Sequence, residues 1–260
     1  MFVDSHCHLD FPDFSSRMPE LLANMRDNQV THALCISVTL EAFPNVLALA
    51  ETHPNLYATV GVHPDTEDVN EPSIEQLVTL ADHPRVVGIG ETGLDYYRLN
   101  GRSIADMEWQ RERFRVHIAA ARQTQKPLVI HTRASAEDTL RLMAEEQAGE
   151  AGGVMHCFTE TWDVAKRALD LGFHISFSGI VTFKSAADLQ ETAKKVPLDR
   201  MLIETDSPYL APVPYRGKTN QPAWVRHVGE CIATLRGLPL EQVAEQTTDN
   251  FFRLFNKIER

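Results

Sequence analysis

Eight short runs rich in Val, Ile and small residues recur along the 260-residue chain, and longer stretches of helical period separate them. The strand-like runs cover residues 2–8, 32–38, 56–63, 86–92, 127–132, 153–158, 173–178 and 201–206. Between them, Ala, Leu and Val recur every three or four residues over 18–28, 41–52, 74–83, 104–123, 136–147, 162–171 and 186–196. Strict alternation of this kind demands parallel strands with right-handed crossovers, and eight strands is the number that closes a barrel. The predicted fold is therefore α/β, a (β/α)8 TIM barrel in one domain over residues 1–260. Extra C-terminal helices are expected at 221–236, 240–245 and 250–258. Ser135 and Ser185 stand where helix starts need capping, and Gly172 where a helix should stop. An open doubly wound sheet would carry a glycine-rich phosphate turn before an early helix. Here Gly88-Ile89-Gly90 lies inside a strand and leads into Glu91 instead.

In such a barrel, chemistry collects where strands end and the loops to the following helices begin. Reading those ends in order gives His6 and His8, then His63, Glu91, His131, His156, and Glu204 with Asp206. Strand side chains alternate with period two, so His6 and His8 share a face and Cys7 points away. The same parity groups Glu204 with Asp206, and His131 with Arg133. Each residue alone reads more simply as a packed or capping side chain. Together they form a cluster of imidazoles and carboxylates that would be costly to bury without a cation.

Mixed nitrogen and oxygen donors suit Zn²⁺, Mn²⁺, Fe²⁺ or Ni²⁺ better than Mg²⁺ or Ca²⁺. The six candidates His6, His8, Glu91, His131, His156 and Asp206 exceed what one tetrahedral ion needs. Two ions about 3.5–4 Å apart, with Glu91 bridging, would use them all and activate a water near neutral pH. Asp206 is the expected general base.

Composition limits the partners. Apolar residues make up 43% of the chain, enough for a large core, and the formal net charge is -11. No global basic field would draw in nucleic acid or an anionic membrane, so a polyanionic substrate needs local cations or metal. The N-terminus lacks a basic leader, and no apolar stretch is long enough to span a bilayer. The cysteines, Cys7, Cys35, Cys157 and Cys231, lack CxxC spacing and read as reduced thiols of a cytoplasmic protein.

The segments "DSHCHLD", "GVHP", "GETGLDYY", "VIHTR", "MHCF", "SFSGIVTF", "ETDSPYLAP" and "TTDNFFRLF" together resemble the TatD family of metal-dependent hydrolases and DNases, in the right order from Val3 to Phe255. The resemblance implies an amidohydrolase-type TIM barrel with a divalent-metal centre held by His6, His8, Glu91, His131, His156 and Asp206. It also implies a deoxyribonuclease, 3′–5′ exonuclease-like, with DNA as its partner. His63 belongs to a family motif outside the metal set and is expected to touch substrate phosphate or to support the ligands. Arg133 is placed to bind a phosphate or to pair with a loop carboxylate. Glu204 is a candidate near the substrate, orienting a ligand imidazole.

Arg216, Lys218 and Lys184 are expected on a basic rim, and Tyr96, Tyr97 and Arg98 just above Glu91. His174 opens its strand at the opposite rim and is expected to be structural. Two other functions compete with the nuclease reading: a small-molecule amidohydrolase or esterase using the same metals, and a non-catalytic metal- or partner-binding barrel. A basic open groove favours the nuclease, and a closed apolar pocket the amidase.

Overall fold

The computed structural model describes residues 1–258 and 260. Its eight strands are β1 (Phe2–Cys7), β2 (Val30–Cys35), β3 (Leu56–Val60), β4 (Val86–Asp95), β5 (Leu128–Arg133), β6 (Gly153–Met155), β7 (His174–Phe177) and β8 (Met201–Ile203). They pair in sequence order, every neighbouring pair parallel. Closure between β8 and β1 is made at the carboxyl ends. Cys7 bridges Ser207, the Asp206 amide donates to the His6 carbonyl at 2.9 Å, and the His8 amide to the Ser207 carbonyl at 2.9 Å. The expected TIM barrel is the observed one.

Helices α1 (Met18–Asp27), α2 (Phe43–Thr52), α3 (Ile74–Ala81), α4 (Glu108–Thr124), α5 (Ala136–Glu145), α6 (Trp162–Asp170) and α7 (Ala187–Lys195) fill the crossovers, followed by α8 (Val225–Arg236) and α9 (Leu240–Leu254). Two expected terminal helices merge into α9, because Gln246–Asp249 offers no breaker and its threonines are buried against the barrel. Ser135 does not cap α5; its hydroxyl donates to the Leu94 carbonyl at 2.7 Å. Ser185 is not a cap either, since α7 begins after Ala186. Gly172 does follow α6, at φ +89°.

The core has two compartments. The larger lies between strands and helices; the smaller fills the barrel's lower interior with Val3, Leu34, Ile36, Val87, Val129, Val154 and Leu202. Phe251 and Phe255 of the α9 end close this lower compartment from below. Asn250 fixes that plug, donating to the carbonyls of Leu198 and Met201 at 2.8 Å each. The closing "DNFFRLF" segment is thus a stopper for the bottom of the barrel.

Two glycines allow β3 and β4 to approach above this plug. A Cβ on Gly61 would fall 2.5 Å from the Gly90 carbonyl carbon, and one on Gly90 2.6 Å from the Val129 oxygen. Only bare backbone fits there. The two segments they begin carry His63 and Glu91.

Phe255 is fully buried, so Phe255→Ala should cost about 3–5 kcal/mol. Denaturant unfolding of the two proteins measures this; a cost below about 1 kcal/mol would remove the plug from the account of stability.

Candidate metal centre

Most of the predicted site residues stand just past the last ladder bond of a strand. His8 follows β1, His156 follows β6, Glu204 and Asp206 follow β8, and His63 lies three residues beyond β3. There the backbone leaves the sheet and the side chains turn into the mouth. Glu91 and His131 are still within β4 and β5, and His6 within β1. A register irregularity between Asp4 and Cys7 accompanies the approach of His6 to the axis. Asp4, buried beside it, accepts from the amides of His6 (3.3 Å) and Thr205 (2.8 Å), tying the two ligand-bearing ends together.

Glu91 is at the centre, 3% exposed. Its Oε2 faces His6 Nε2 at 3.3 Å and His8 Nε2 at 3.9 Å. Asp206 Oδ1 completes this group, 3.5 Å from His6 Nε2 and 3.4 Å from His8 Nε2. The other oxygen, Oε1, faces His156 Nε2 at 2.8 Å, His131 Nδ1 at 3.1 Å and His63 Nε2 at 3.3 Å. All six expected ligands therefore converge on one carboxylate, and His156 lies within reach of His6 and Asp206 as well as of Glu91. His63, expected outside the metal set, stands within the same reach of Glu91 and His131.

Four of the imidazoles are oriented by what their other nitrogen holds, whereas His6 Nδ1 is buried without a partner among the described residues. His131 Nε2 is 3.0 Å from Asp95 Oδ2, His156 Nδ1 is 3.2 Å from Glu204 Oε1, His63 Nδ1 is 2.6 Å from Asp65 Oδ1, and His8 Nδ1 is 3.2 Å from the Ile36 carbonyl. Glu204 is fully buried and also accepts from the Cys157 amide at 2.9 Å. It does not line the cavity, and its contact is with His156. Asp95 and Asp65 were not singled out by sequence. Their signal was parity, Asp95 lying four residues after Glu91 and Asp65 two after His63.

The electrostatics describe a centre short of positive charge. Burial would raise the Glu91 carboxyl, yet the imidazoles of His156, His63 and His6 hold it well below the usual carboxylate range. Burial and the adjacent His156 lower His6. Burial opposes protonation of His156 and His8, but Glu91 and Glu204 lift the first well above its ordinary value, and Asp206 lifts the second. Protons would have to sit on imidazoles to balance these carboxylates, and a divalent cation supplies the same charge without them.

The side chains fit such a cation. His6 Nε2 and His8 Nε2 are 3.2 Å apart, as two lone pairs aimed at one ion would be. His156 Nε2, though 2.8 Å from Glu91 Oε1, makes no aligned hydrogen bond, and Glu204 Oε2 has no hydrogen-bond partner among the described residues. The donors are nitrogen and carboxylate oxygen, the set preferred by first-row divalent metals.

Above the centre a cavity of about 760 Å³ opens at the barrel mouth. Phe11, Arg98, Arg133 and Tyr209 are on its wall. Tyr96, expected there, is buried with its hydroxyl donating to Asp138 at 2.8 Å. Arg216 and Lys218 do not line it; they lie over Phe183 and Tyr215.

Helix α4 braces the mouth from outside. Buried Arg113 donates to the carbonyls of His63 and Thr66 at 2.8 Å each and to Glu71 at 2.8 Å. One turn on, His117 Nε2 accepts from the Val62 amide at 3.0 Å while Nδ1 donates to the Arg113 carbonyl at 2.7 Å. Gln110 exchanges hydrogen bonds with both backbone groups of Asp95. One helix face thus sets the loops that carry His63 and Asp95.

A barrel with a nest of imidazoles and carboxylates at the carboxyl ends of its strands defines a metal-dependent hydrolase. The family model for TatD related DNase matches residues 3–256, so the chain belongs to the TatD family. It is 47% identical over 258 residues to the uncharacterized metal-dependent hydrolase YcfH of Escherichia coli K12, covering 98% of this chain and 95% of that one. It is 38% identical over 256 residues to YabD of Bacillus subtilis, another uncharacterized metal-dependent hydrolase, covering 98% and 99%. The crystal structure of YjjV, a TatD homologue from Escherichia coli K12, superposes with a TM-score of 0.90 at 29% identity over 98% of each chain.

Two measurements check the supports. Glu204→Gln should lower metal affinity about 10–100-fold, read by metal titration, with circular dichroism unchanged. An unchanged affinity would make Glu204 a packing residue only. Burial depresses His117 to about 4, against an ordinary value of 6.5. Between these values the unfolded chain takes a proton that the folded chain refuses. This stabilisation is complete above pH 6.5 and declines as pH falls through 4, by up to about 3 kcal/mol. Urea unfolding at pH 7.5 and 5 should show the decline, and His117→Gln should make it shallower.

Proposed function

We propose that this hydrolase is a divalent-metal-dependent phosphodiesterase of the cytoplasm, acting on DNA as a 3′–5′ exonuclease-like trimmer of single strands. The observation that carries the reading is the division of Glu91, each of its oxygens facing different imidazoles at the floor of a cavity whose lining includes Arg98 and Arg133. One ion would be held by His6, His8, Asp206 and Glu91, and a second by His131, His156 and Glu91. Zn²⁺, Mn²⁺, Mg²⁺, Fe²⁺ and Ni²⁺ are the candidates, the mixed donor set favouring all but Mg²⁺. Bound there, divalent cations supply Lewis acidity at the phosphoryl oxygens and lower the pKa of water toward neutrality.

The chain's own groups do the rest. Burial alone would raise the Asp206 carboxyl, but His8 and His6 keep it below its ordinary value, so it is ionised and ready to accept the proton of the attacking water. His63 lines the cavity with its Nδ1 held by Asp65 and its Nε2 3.3 Å from Glu91 Oε1, so a substrate phosphate oxygen at the centre would be within reach of the same nitrogen. Arg133, at the wall, offers a second donor to the substrate. Glu204 and Asp95 fix the rings of His156 and His131. A net charge of -11 disfavours wrapping along a duplex, whereas taking one strand end into the mouth requires few phosphate contacts. Two unpaired arginines, Arg98 and Arg133, in the lining of a cavity that opens at the barrel mouth support a phosphodiester over the small amide or lactone that a closed apolar pocket would select.

A metal-by-substrate screen tests this, with Zn²⁺, Mn²⁺ and Mg²⁺ against end-labelled single-stranded DNA, RNA, bis(p-nitrophenyl) phosphate and p-nitrophenyl acetate. The expected result is stepwise shortening of the DNA, with kcat falling about 10²–10⁴-fold in Asp206→Asn. Intact DNA alongside cleavage of the carboxylic ester would move the reading to an esterase or amidohydrolase.

A further inference from the structure

The cavity wall holds an arrangement that hydrolysis of one phosphodiester does not require. Arg98 and Arg133 both line it, and both are exposed. Neither has an ion-pair or side-chain hydrogen-bond partner among the described residues. Nearby arginines behave otherwise. Arg102 is paired with Glu67, Arg111 with Asp138 and Glu108, and Arg113 with Glu71.

The carboxylates that share the cavity are already engaged. Asp65 is held by His63, Asp95 by His131, Asp206 by His8, and Glu91 by the imidazoles around it. Arg133 is further prepared: its guanidinium carbon lies 3.7 Å from the centroid of the Tyr97 ring, which is 61% exposed. Stacking on an aromatic face fixes the guanidinium and leaves its N–H edge free for an anion.

In an acidic protein, two full positive charges left unanswered on one wall make an anion site. Both arginines stand at the wall beside β4 and β5, whereas His6, His8 and Asp206 come from the opposite side of the barrel. We propose that Arg98 and Arg133, the latter stacked on Tyr97, bind a second phosphate of the substrate, distinct from the one being hydrolysed. The substrate class is then a nucleotide chain end carrying a further phosphate next to the scissile one. This rests on the phosphodiesterase reading and adds a ruler to it. The arginine pair selects for chain ends against isolated phosphodiesters.

The test compares two dinucleotides on the metal-reconstituted enzyme, TpT and its 5′-phosphorylated counterpart pTpT, each with a free 3′-hydroxyl, by following loss of the intact dinucleotide chromatographically. The 5′-phosphorylated dinucleotide should be preferred about 10–100-fold in kcat/KM, chiefly through KM, the range expected for charge-assisted hydrogen bonds. The double variant Arg98→Ala, Arg133→Ala should bring the ratio close to one. Arg133→Lys should restore part of it. Arg216→Ala, whose side chain lies over Phe183 away from the cavity, should leave the ratio as it was. Equal kcat/KM for both probes in the wild type, or a ratio that survives the double variant, overturns the second-phosphate site and leaves phosphodiester hydrolysis standing. Cleavage of neither probe overturns the phosphodiesterase reading, and this inference falls with it.

Discussion

One carboxylate organises this molecule. Glu91 is buried at the end of a strand, and each of its two oxygens is answered by a different set of imidazoles. An ionised carboxylate in such a place is unaffordable alone, so everything around it supplies compensating charge or holds the groups that do. His6, His8, His63, His131 and His156 come from strands spread around the barrel, and the outer nitrogens of all but His6 are pinned, by Asp95, Glu204, Asp65 and a backbone carbonyl. The centre and its outer partners behave as one electrostatic unit, with a divalent cation as the natural counter-charge.

The barrel divides its labour by height. Below, branched aliphatic side chains and the α9 aromatics give a dry plug whose task is cohesion. Above, polar groups replace apolar ones and the ladders end, so the chain spends its conformational freedom on aiming side chains. Between them, Gly61 and Gly90 let the backbones of neighbouring segments touch. Helix α4 connects both levels, because its inner face packs Phe114 and Ile118 in the core and presents Arg113 and His117 to the loops of the mouth.

Much of this was legible from residue order. Alternating periods gave the barrel, and His-x-His at the end of the first strand gave the first pair of imidazoles. Glu91, His131, His156 and Asp206 stood out because ionisable groups are rare inside strands that otherwise read as apolar. The remainder was hidden for physical reasons. Strands β2, β3, β6, β7 and β8 end earlier than their sequence runs suggest, since such a run continues past its last ladder bond when the following loop is also buried. Asp95 and Asp65 passed unnoticed because acidic residues in loops are common and only a packed imidazole gives them meaning. Ser135 looked like a cap, but its hydroxyl found a buried carbonyl on the neighbouring strand instead. The roles of Arg98 and Arg216 could not be told apart by spacing, because which cation faces the mouth depends on how the long loops fold back.

The seam between β1 and β8 has a consequence for how the protein comes into being. The hydrogen bonds that shut the barrel are made by the backbones of His6, His8, Asp206 and Ser207, the same short segments that aim the imidazoles and the acid. During synthesis His6 and His8 emerge long before Asp206, with seven strands and their crossover helices translated in between. A nascent chain therefore carries reactive groups without a reactive centre. Competence to hydrolyse arrives in a single event, when the two ends of the sheet meet.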